Sequence, residues 1–168
     1  MTAGVIEVQS FDELRARAAE AAGKVVFFNR PMDPASFDTF DAYGAAVEQR
    51  ARGASEAARA GAVAAVVRSM ASRVDDFPHT GSMHYEEGLP RVPAAAVSTR
   101  GAEQLSAWIA AGTDPLDPLT LSCAWHEEVA SFHDVRELRG RELPEEPARA
   151  GGHLDAWDAG TGPPATGG

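Results

Sequence analysis

The sequence predicts one α/β domain over its first 125 residues. Short apolar runs with β-branched and aromatic residues alternate there with helix-prone, alanine-rich stretches, which is the pattern of strands and helices in an α/β fold. Capping residues and glycines stand at the ends of these stretches. The chain has 168 residues, of which 44% are hydrophobic, enough for one core but too little for two full domains.

The chain begins with a predicted strand and helix. Residues 5–8 form a short apolar run that indicates a strand. Ser10 is a suitable N-cap, and Glu13 stands three positions later, as in a capping box. We therefore expect a helix over residues 11–22, which ends at Gly23.

The next stretch predicts two more strands with helices between them. Residues 24–29 are a buried strand by composition, and residues 30–36 hold two prolines and form a loop. The alanine-rich segment that follows predicts one helix before Gly53 and another over residues 54–60. Residues 62–68 are again typical of a buried strand.

A long polar connection separates this strand from the last predicted elements. Residues 69–93 contain glycine, proline and two histidines, and a loop of that length within a compact domain is either functional or a folded excursion. Residues 94–97 predict a strand, and Ser98 or Thr99 can cap the next helix. That helix carries Leu105, Trp108 and Ile109 on one apolar face. Residues 119–124 then predict a last core strand.

Charge and composition exclude several partners. The formal net charge is −10, with 15 basic against 25 acidic residues, so we expect neither nucleic acid nor an anionic membrane surface as a partner. No apolar run approaches the ~20 residues of a membrane helix, and residues 1–10 do not form a signal peptide. Cys123 is the only cysteine, and we expect it to be a small core residue.

One short motif near the end of the chain suggests metal chemistry. Imidazole is a good zinc ligand, and a nearby carboxylate can accept the other ring N–H and orient the ring. His153 and Asp155 have the spacing that could bring both groups near one ion. By itself the spacing is weak evidence, and it favours an exposed polar tail over a metal site.

A series of segments carries a more specific likeness. In order along the chain they are residues 23–31 (GKVVFFNRP), 53–58 (GASEAA), 61–63 (GAV), 67–69 (VRS), 78–81 (PHTG), 92–96 (VPAAA) and 151–158 (GGHLDAWD). Together they cover the span from about Gly23 to Trp157, roughly four fifths of the chain. This series resembles the plasma glutamate carboxypeptidase (carboxypeptidase Q) group of zinc exopeptidases, especially its bacterial members.

The resemblance implies a domain organisation. Residues 1–22 would lead into a protease-associated domain over residues 23–125, a non-catalytic α/β insertion with a sheet or open barrel flanked by helices. Residues 126–168 would begin the zinc peptidase domain and leave it incomplete and partly disordered. Relatives in this family bind two zinc ions, which activate a bridging water for hydrolysis of a peptide substrate.

The resemblance transfers only part of the metal site. His153 corresponds to the first zinc ligand, and Asp155 to the catalytic-site carboxylate that orients a metal-bound group. The family has its bridging aspartate twelve positions after the histidine, where this chain has Ala165. The strand that the family has before Gly151 is expected to be absent here, because Pro147 lacks a ladder donor and Arg149 is costly to bury. Residues 142–150 are therefore predicted to be a linker or a damaged strand. A gene fragment, a frameshift or a pseudoenzyme would each explain the departure, and we favour a fragment.

The function expected from the sequence is therefore that of an accessory part of a zinc exopeptidase for small peptides, itself non-catalytic and with an exported parent. The alternative is a stand-alone protease-associated module that binds peptides or proteins. The resemblance places His79 and Thr80 in a loop facing the substrate cleft. A metal site from His79, His84, Glu86 and Glu87 is the weaker interpretation of that loop, because such loops are commonly polar from solvation alone.

Overall fold

A computed structural model describes residues 3–79, 81–113, 121–124, 126–130 and 136–150. The chain divides into two compact units, Met1–Leu121 and Ser122–Gly168. The first unit is a mixed α/β structure with a parallel sheet, so the predicted fold class is confirmed at that level. No helix of the described residues is long and apolar enough to cross a bilayer.

Four parallel strands form the sheet of the first unit in the order β1-β2-β3-β4. They are β1 (Val5–Val8), β2 (Val25–Phe28), β3 (Ala64–Arg68) and β4 (Ala94–Val97). Every residue of β2 is buried, as expected for an inner parallel strand covered on both faces. The strands predicted at residues 5–8 and 94–97 are confirmed at both ends, and the other two predicted strands are slightly shorter in the structure.

Two short helices replace the single helix predicted after β1. They are α1 (Phe11–Ala16) and α2 (Ala18–Ala21), and Arg17 between them leaves helical geometry, with ψ at 20°. The Ser10 side chain accepts from the Glu13 amide at 3.1 Å, which confirms the predicted cap. The Arg17 amide donates to the carbonyls of both Glu13 and Leu14. The predicted helix divides into α1 and α2 at this turn.

Helix α3 (Thr39–Arg59) is one continuous helix of 21 residues. The prediction of two helices separated at Gly53 is therefore wrong. A Cβ added at Gly53 would lie 3.0 Å from the Phe28 ring, so the glycine allows a close helix–strand approach and does not break the helix. Gly44, also within α3, has open space around it.

Helices cover both faces of the sheet. One face carries a cluster that includes Leu14 of α1, Val26 and Phe28 of β2, and the buried alanines of α3. On the other face, helix α4 (Thr99–Ala110) packs Leu105 against residues such as Phe27. Ser98 caps α4, as predicted, whereas Trp108 is 42% exposed and does not belong to the core.

The second unit contains a short antiparallel pair, β5 (Arg136–Leu138) and β6 (Ala148–Ala150). The region expected to be a linker or damaged strand thus keeps three residues in a strand directly after Pro147, a position where the missing amide donor does little harm. The predicted strand at residues 119–124 is not found in its described part, residues 121–124, which is exposed. Cys123 is consequently exposed, and its assignment to the core is wrong.

The close approach at Gly53 predicts opposite effects for alanine at the two glycines of α3. Gly44→Ala should stabilise the fold by about 0.5–1 kcal/mol, because alanine favours a helix and meets open space. Gly53→Ala should destabilise it by about 1–3 kcal/mol, because the added methyl would force the buried Phe28 ring or the helix to shift in a packed core. Urea unfolding of both variants provides the test, and equal stabilisation by the two substitutions would contradict the close contact.

Candidate functional site

Of the four residues predicted to form a site, the structure describes one. His79 lies in the long connection between β3 and β4 and is half-buried. Thr80, His153 and Asp155 lie outside the described residues. The proximity of His153 to Asp155, and of Thr80 to a cleft, therefore stays a prediction.

The connection over residues 69–93 packs on α3, and its described residues form no helix or strand of their own. Met70 and Val92 are buried near its two ends and join the core cluster of the α3 face. Ser55 of α3 binds its middle, donating to the His84 carbonyl at 3.2 Å and accepting from the Glu86 amide at 2.9 Å. The second half of the loop is thus held by the helix.

Two buried hydroxyls hold the first half of the loop at the end of the sheet. Ser69 Oγ accepts from the His79 amide at 2.7 Å and donates to the Val97 carbonyl at 2.7 Å. Thr99 Oγ1 accepts from the Asp75 amide at 2.9 Å and donates to the Arg73 carbonyl at 3.0 Å. The backbone at His79 is therefore fixed relative to β4 and α4. The sequence did not reveal this role for either hydroxyl, although each directly follows a predicted strand or capping residue.

The charge on the nearby Asp75 is stabilised by local hydrogen bonds. The Arg73 Nε–H donates to one carboxylate oxygen at 2.8 Å, and the Phe77 amide donates to the other at 3.1 Å. These two bonds, that from Arg73 the stronger, hold the pKa of Asp75 below its usual value. Asp75 thereby closes the turn that precedes His79.

The second metal interpretation of this loop finds no support in its geometry. Glu86 is ion-paired with Arg59 of α3, and the exposed His84 bonds through its main chain. Among the described residues, no group of three histidine, cysteine or acidic side chains could hold an ion. The described part of the chain therefore does not fit a zinc ion, and no catalytic step through zinc follows from it.

A small pocket lies between α3, the loop and β4. Its volume is about 140 Å³, and mainly apolar residues form its walls. Arg50 of α3 contributes the one charged side chain among its lining residues, which otherwise are Val67, Gly81, Met83, Ala94, Ala95 and Ala96. Sequence reasoning missed Arg50, because it is one of three arginines in an alanine-rich helix and belongs to no motif.

A polar network crosses three strands on the α4 face of the sheet. Glu7 Oε1 accepts from Asn29 Nδ2 at 2.6 Å and from the Ser106 hydroxyl at 3.0 Å. Arg68 donates to Asn29 Oδ1 at 3.2 Å and to Glu103 at 3.3 Å. Each of these groups has a partner within the fold, so the network joins α4 to the sheet.

Comparison with known proteins gives one consistent result. The chain is 39% identical to carboxypeptidase Q of Pongo abelii and 38% identical to that of Homo sapiens, in each case over 162 residues, or 96% of the chain. It spans about a third, 33%, of the length of these relatives. No protein-family model matches the chain.

A solved structure shares the fold. The crystal structure of a peptidase M28 precursor from Shewanella amazonensis superimposes with a TM-score of 0.61 and 31% sequence identity. The likeness covers 66% of this chain and 25% of that protein.

The hydrogen bonds to Asp75 predict a measurable titration. NMR should give a pKa for its carboxyl below the usual value, and Arg73→Gln should raise that pKa because the strongest donor is lost. A lowered folded pKa means that the ionised group stabilises the fold above its unfolded pKa, and that this stabilisation is lost as pH falls through the folded pKa.

Arg100→Gln is the matched control for this titration. Arg100 is exposed and pairs with the neighbouring Asp76, so its loss removes the same charge without touching the bonds to Asp75. An unshifted Asp75 in the wild type, or an equal change in both variants, would contradict the local hydrogen-bond explanation.

Proposed function

We propose, from the membership of this chain in the zinc exopeptidase family of the carboxypeptidase Q type, that it serves as the accessory part of a metallo-exopeptidase for small peptides. The observation that carries the proposal is the continuous likeness over 96% of the chain to relatives of which it spans 33%. The segment shared with them forms an α/β domain around a parallel sheet. A role beside the catalytic centre suits this part.

The finer assignment within this family rests on the sequence. Residues 23–125 would be the protease-associated domain, and residues 126–168 the beginning of the peptidase domain. His153 would be the first ligand of the two-zinc site, and Asp155 the carboxylate that orients it. Because Ala165 replaces the expected bridging carboxylate, we expect these 168 residues not to hydrolyse peptides by themselves. The parent would be an exported protein.

The loop at His79 and Thr80 would face the substrate in the complete enzyme. The hydrogen bonds that hold the turn before His79 support this role for its side chain. Ser69 fixes its amide, and Asp75 closes the turn before it, so the side chain starts from a defined backbone position. A side chain that is already held in position before the substrate arrives is well suited to contact it.

A stand-alone module that binds peptides or proteins is the second candidate. It is favoured by the pocket beside β4, which lies entirely within the first unit and needs no metal. In both candidate functions the protein binds peptides. They differ in whether a peptide is hydrolysed when a catalytic domain follows in the same gene.

The first functional prediction concerns the isolated chain. Purified residues 1–168 with added zinc should release no amino acid from a panel of dipeptides, because we do not expect this sequence to contain all the ligands of two zinc ions. Amino-acid release measured by chromatography is the readout, with a chelator-treated sample as the blank. Zinc-dependent turnover above that blank would overturn the assignment as a non-catalytic part.

The second functional prediction concerns His79 in a zinc-loaded, full-length parent. His79→Ala should raise KM about 3- to 10-fold with a smaller change in kcat, because binding is lost and the chemical groups are untouched. His84→Ala is the matched control, since His84 is exposed and bonds through its main chain. Equal steady-state kinetics for both variants and the wild type would reject a substrate contact at His79.

A further inference from the structure

Arg50 is a half-buried cation with unused hydrogen-bonding capacity. Its Nη2 donates to the Tyr43 hydroxyl at 2.7 Å, and the guanidinium lies 5.7 Å from the centre of the Tyr43 ring. Its Nε and Nη1 are buried and have no hydrogen-bond partner among the described residues. Unpaired buried N–H groups of a charged side chain are costly, and their retention calls for a ligand or another explanation.

The chain at Gly81 lies directly against these two nitrogens. A Cβ built there would come within 2.5 Å of Arg50 Cζ and within 2.8 Å of both Nε and Nη1. Nη1 lies on the Cδ side of the guanidinium, away from the Nε–H, so each of the two groups can donate its own charge-assisted hydrogen bond to a carboxylate oxygen. Gly81 is exposed, lies outside any helix or strand, and lines the same pocket as Arg50.

The wall of the pocket opposite Arg50 is an edge strand. Ala65 donates to the Pro93 carbonyl and Ser69 to the Val97 carbonyl, so alternate residues of β4 face β3. The main-chain groups of Ala94 and Ala96 therefore face away from β3, and no strand among the described residues pairs with that side.

The two edges of the sheet differ in their protection. At β1, Arg17 Nη1 donates to the outward Glu7 carbonyl at 3.0 Å, and such a charged cover blocks the addition of another strand. At β4 the side chains are three alanines and a valine, which carry no charge and leave room for an approaching backbone. An incoming strand would thus meet an obstacle at β1 and an accessible edge at β4.

We propose that the pocket beside β4 binds the C-terminal segment of an extended peptide, with Arg50 binding the terminal carboxylate. The peptide main chain would pair with Ala94 and Ala96, and its last side chain would enter the apolar pocket. This inference rests on the proposed function, because it names the part of a peptide substrate or product that the accessory domain holds. An inorganic anion is less suited, since the remaining lining residues are apolar or glycine.

Calorimetric titration of the full 168-residue chain with two matched peptides tests the proposal. The probes are N-acetyl-tetra-alanine with a free C-terminal carboxylate and the same peptide as its C-terminal amide. The free acid should bind about 10-fold more tightly, because only it supplies a charged partner to the guanidinium. Addition of the acid should also shift the NMR amide signals of Ala94 and Ala96.

Two variants locate the charge that is responsible. Arg50→Gln should weaken binding of the acid about 10-fold, to the level of the amide, while Arg100→Gln, an equal change of charge at an exposed ion pair, should leave it unchanged. If Arg50→Gln does not fold, the comparison of acid and amide on the wild type decides. Equal affinity for the two peptides, no binding of either, or unchanged binding to a folded Arg50→Gln variant would overturn the proposal.

The outcome is separable from that of the proposed function. Failure of peptide binding would remove the Arg50 site and leave zinc-dependent hydrolysis by a full-length parent to be judged by its own assay. Carboxylate-dependent binding together with a parent that hydrolyses no peptide would keep the site and favour the binding module.

Discussion

The contact between Gly53 of α3 and the Phe28 ring of β2 is the constraint on which the first unit depends. With hydrogen in place of a side chain at position 53, the helix axis can approach the strand until a Cβ would lie 3.0 Å from the ring. Phe28 is in turn fixed by an edge-to-face contact with Phe11, at 5.6 Å between ring centres. One small residue thereby sets the distance between α3 and the sheet, and with it the positions of the side chains one turn away on either side.

Those side chains join α3 to every neighbouring segment. Gln49 accepts from the Arg30 amide and donates to its carbonyl, which holds the chain leaving β2. Ser55 holds the loop over residues 69–93 through main-chain bonds. Glu56 is 4% exposed and pairs with Arg15 of α1 at 3.1 Å. The same carboxylate also lies 3.6 Å from Arg52 and 4.0 Å from Arg59, so three cations compensate this buried charge.

Much of this fold follows from local pattern, and what does not follow is non-local. The apolar runs fix β1 to β4, and Ser10 and Ser98 cap helices as their short-range chemistry predicts. Gly53 misled the prediction because a glycine that breaks a helix and one that admits an aromatic ring are indistinguishable without the distant partner. Cys123 misled it for a related reason, since a short apolar run is a core strand only where a neighbour covers it.

The candidate site residues also differ in whether local sequence or distant contacts reveal them. His79 could be selected from a family resemblance, yet the hydroxyl of Ser69 that fixes it becomes visible only in three dimensions. Arg50 had no signal in the sequence, because its interest comes from two unpartnered nitrogens and from Gly81, residues far apart along the chain. His153 and Asp155 are the reverse case: they are a local motif whose meaning rests on family likeness and on residues that the structure does not describe.

The claim that α3 is one continuous helix packed closely on Phe28 at Gly53 is tested most directly by native-state amide hydrogen exchange, because exchange reports whether the helix is continuous there. If Gly53 presses the helix onto Phe28, amides of residues 51–57 should exchange as slowly as those of the most protected turns of α3 and at the rate of global unfolding. A fast-exchanging interval at residues 52–55, with protected turns on both sides, would show two helices and contradict the account.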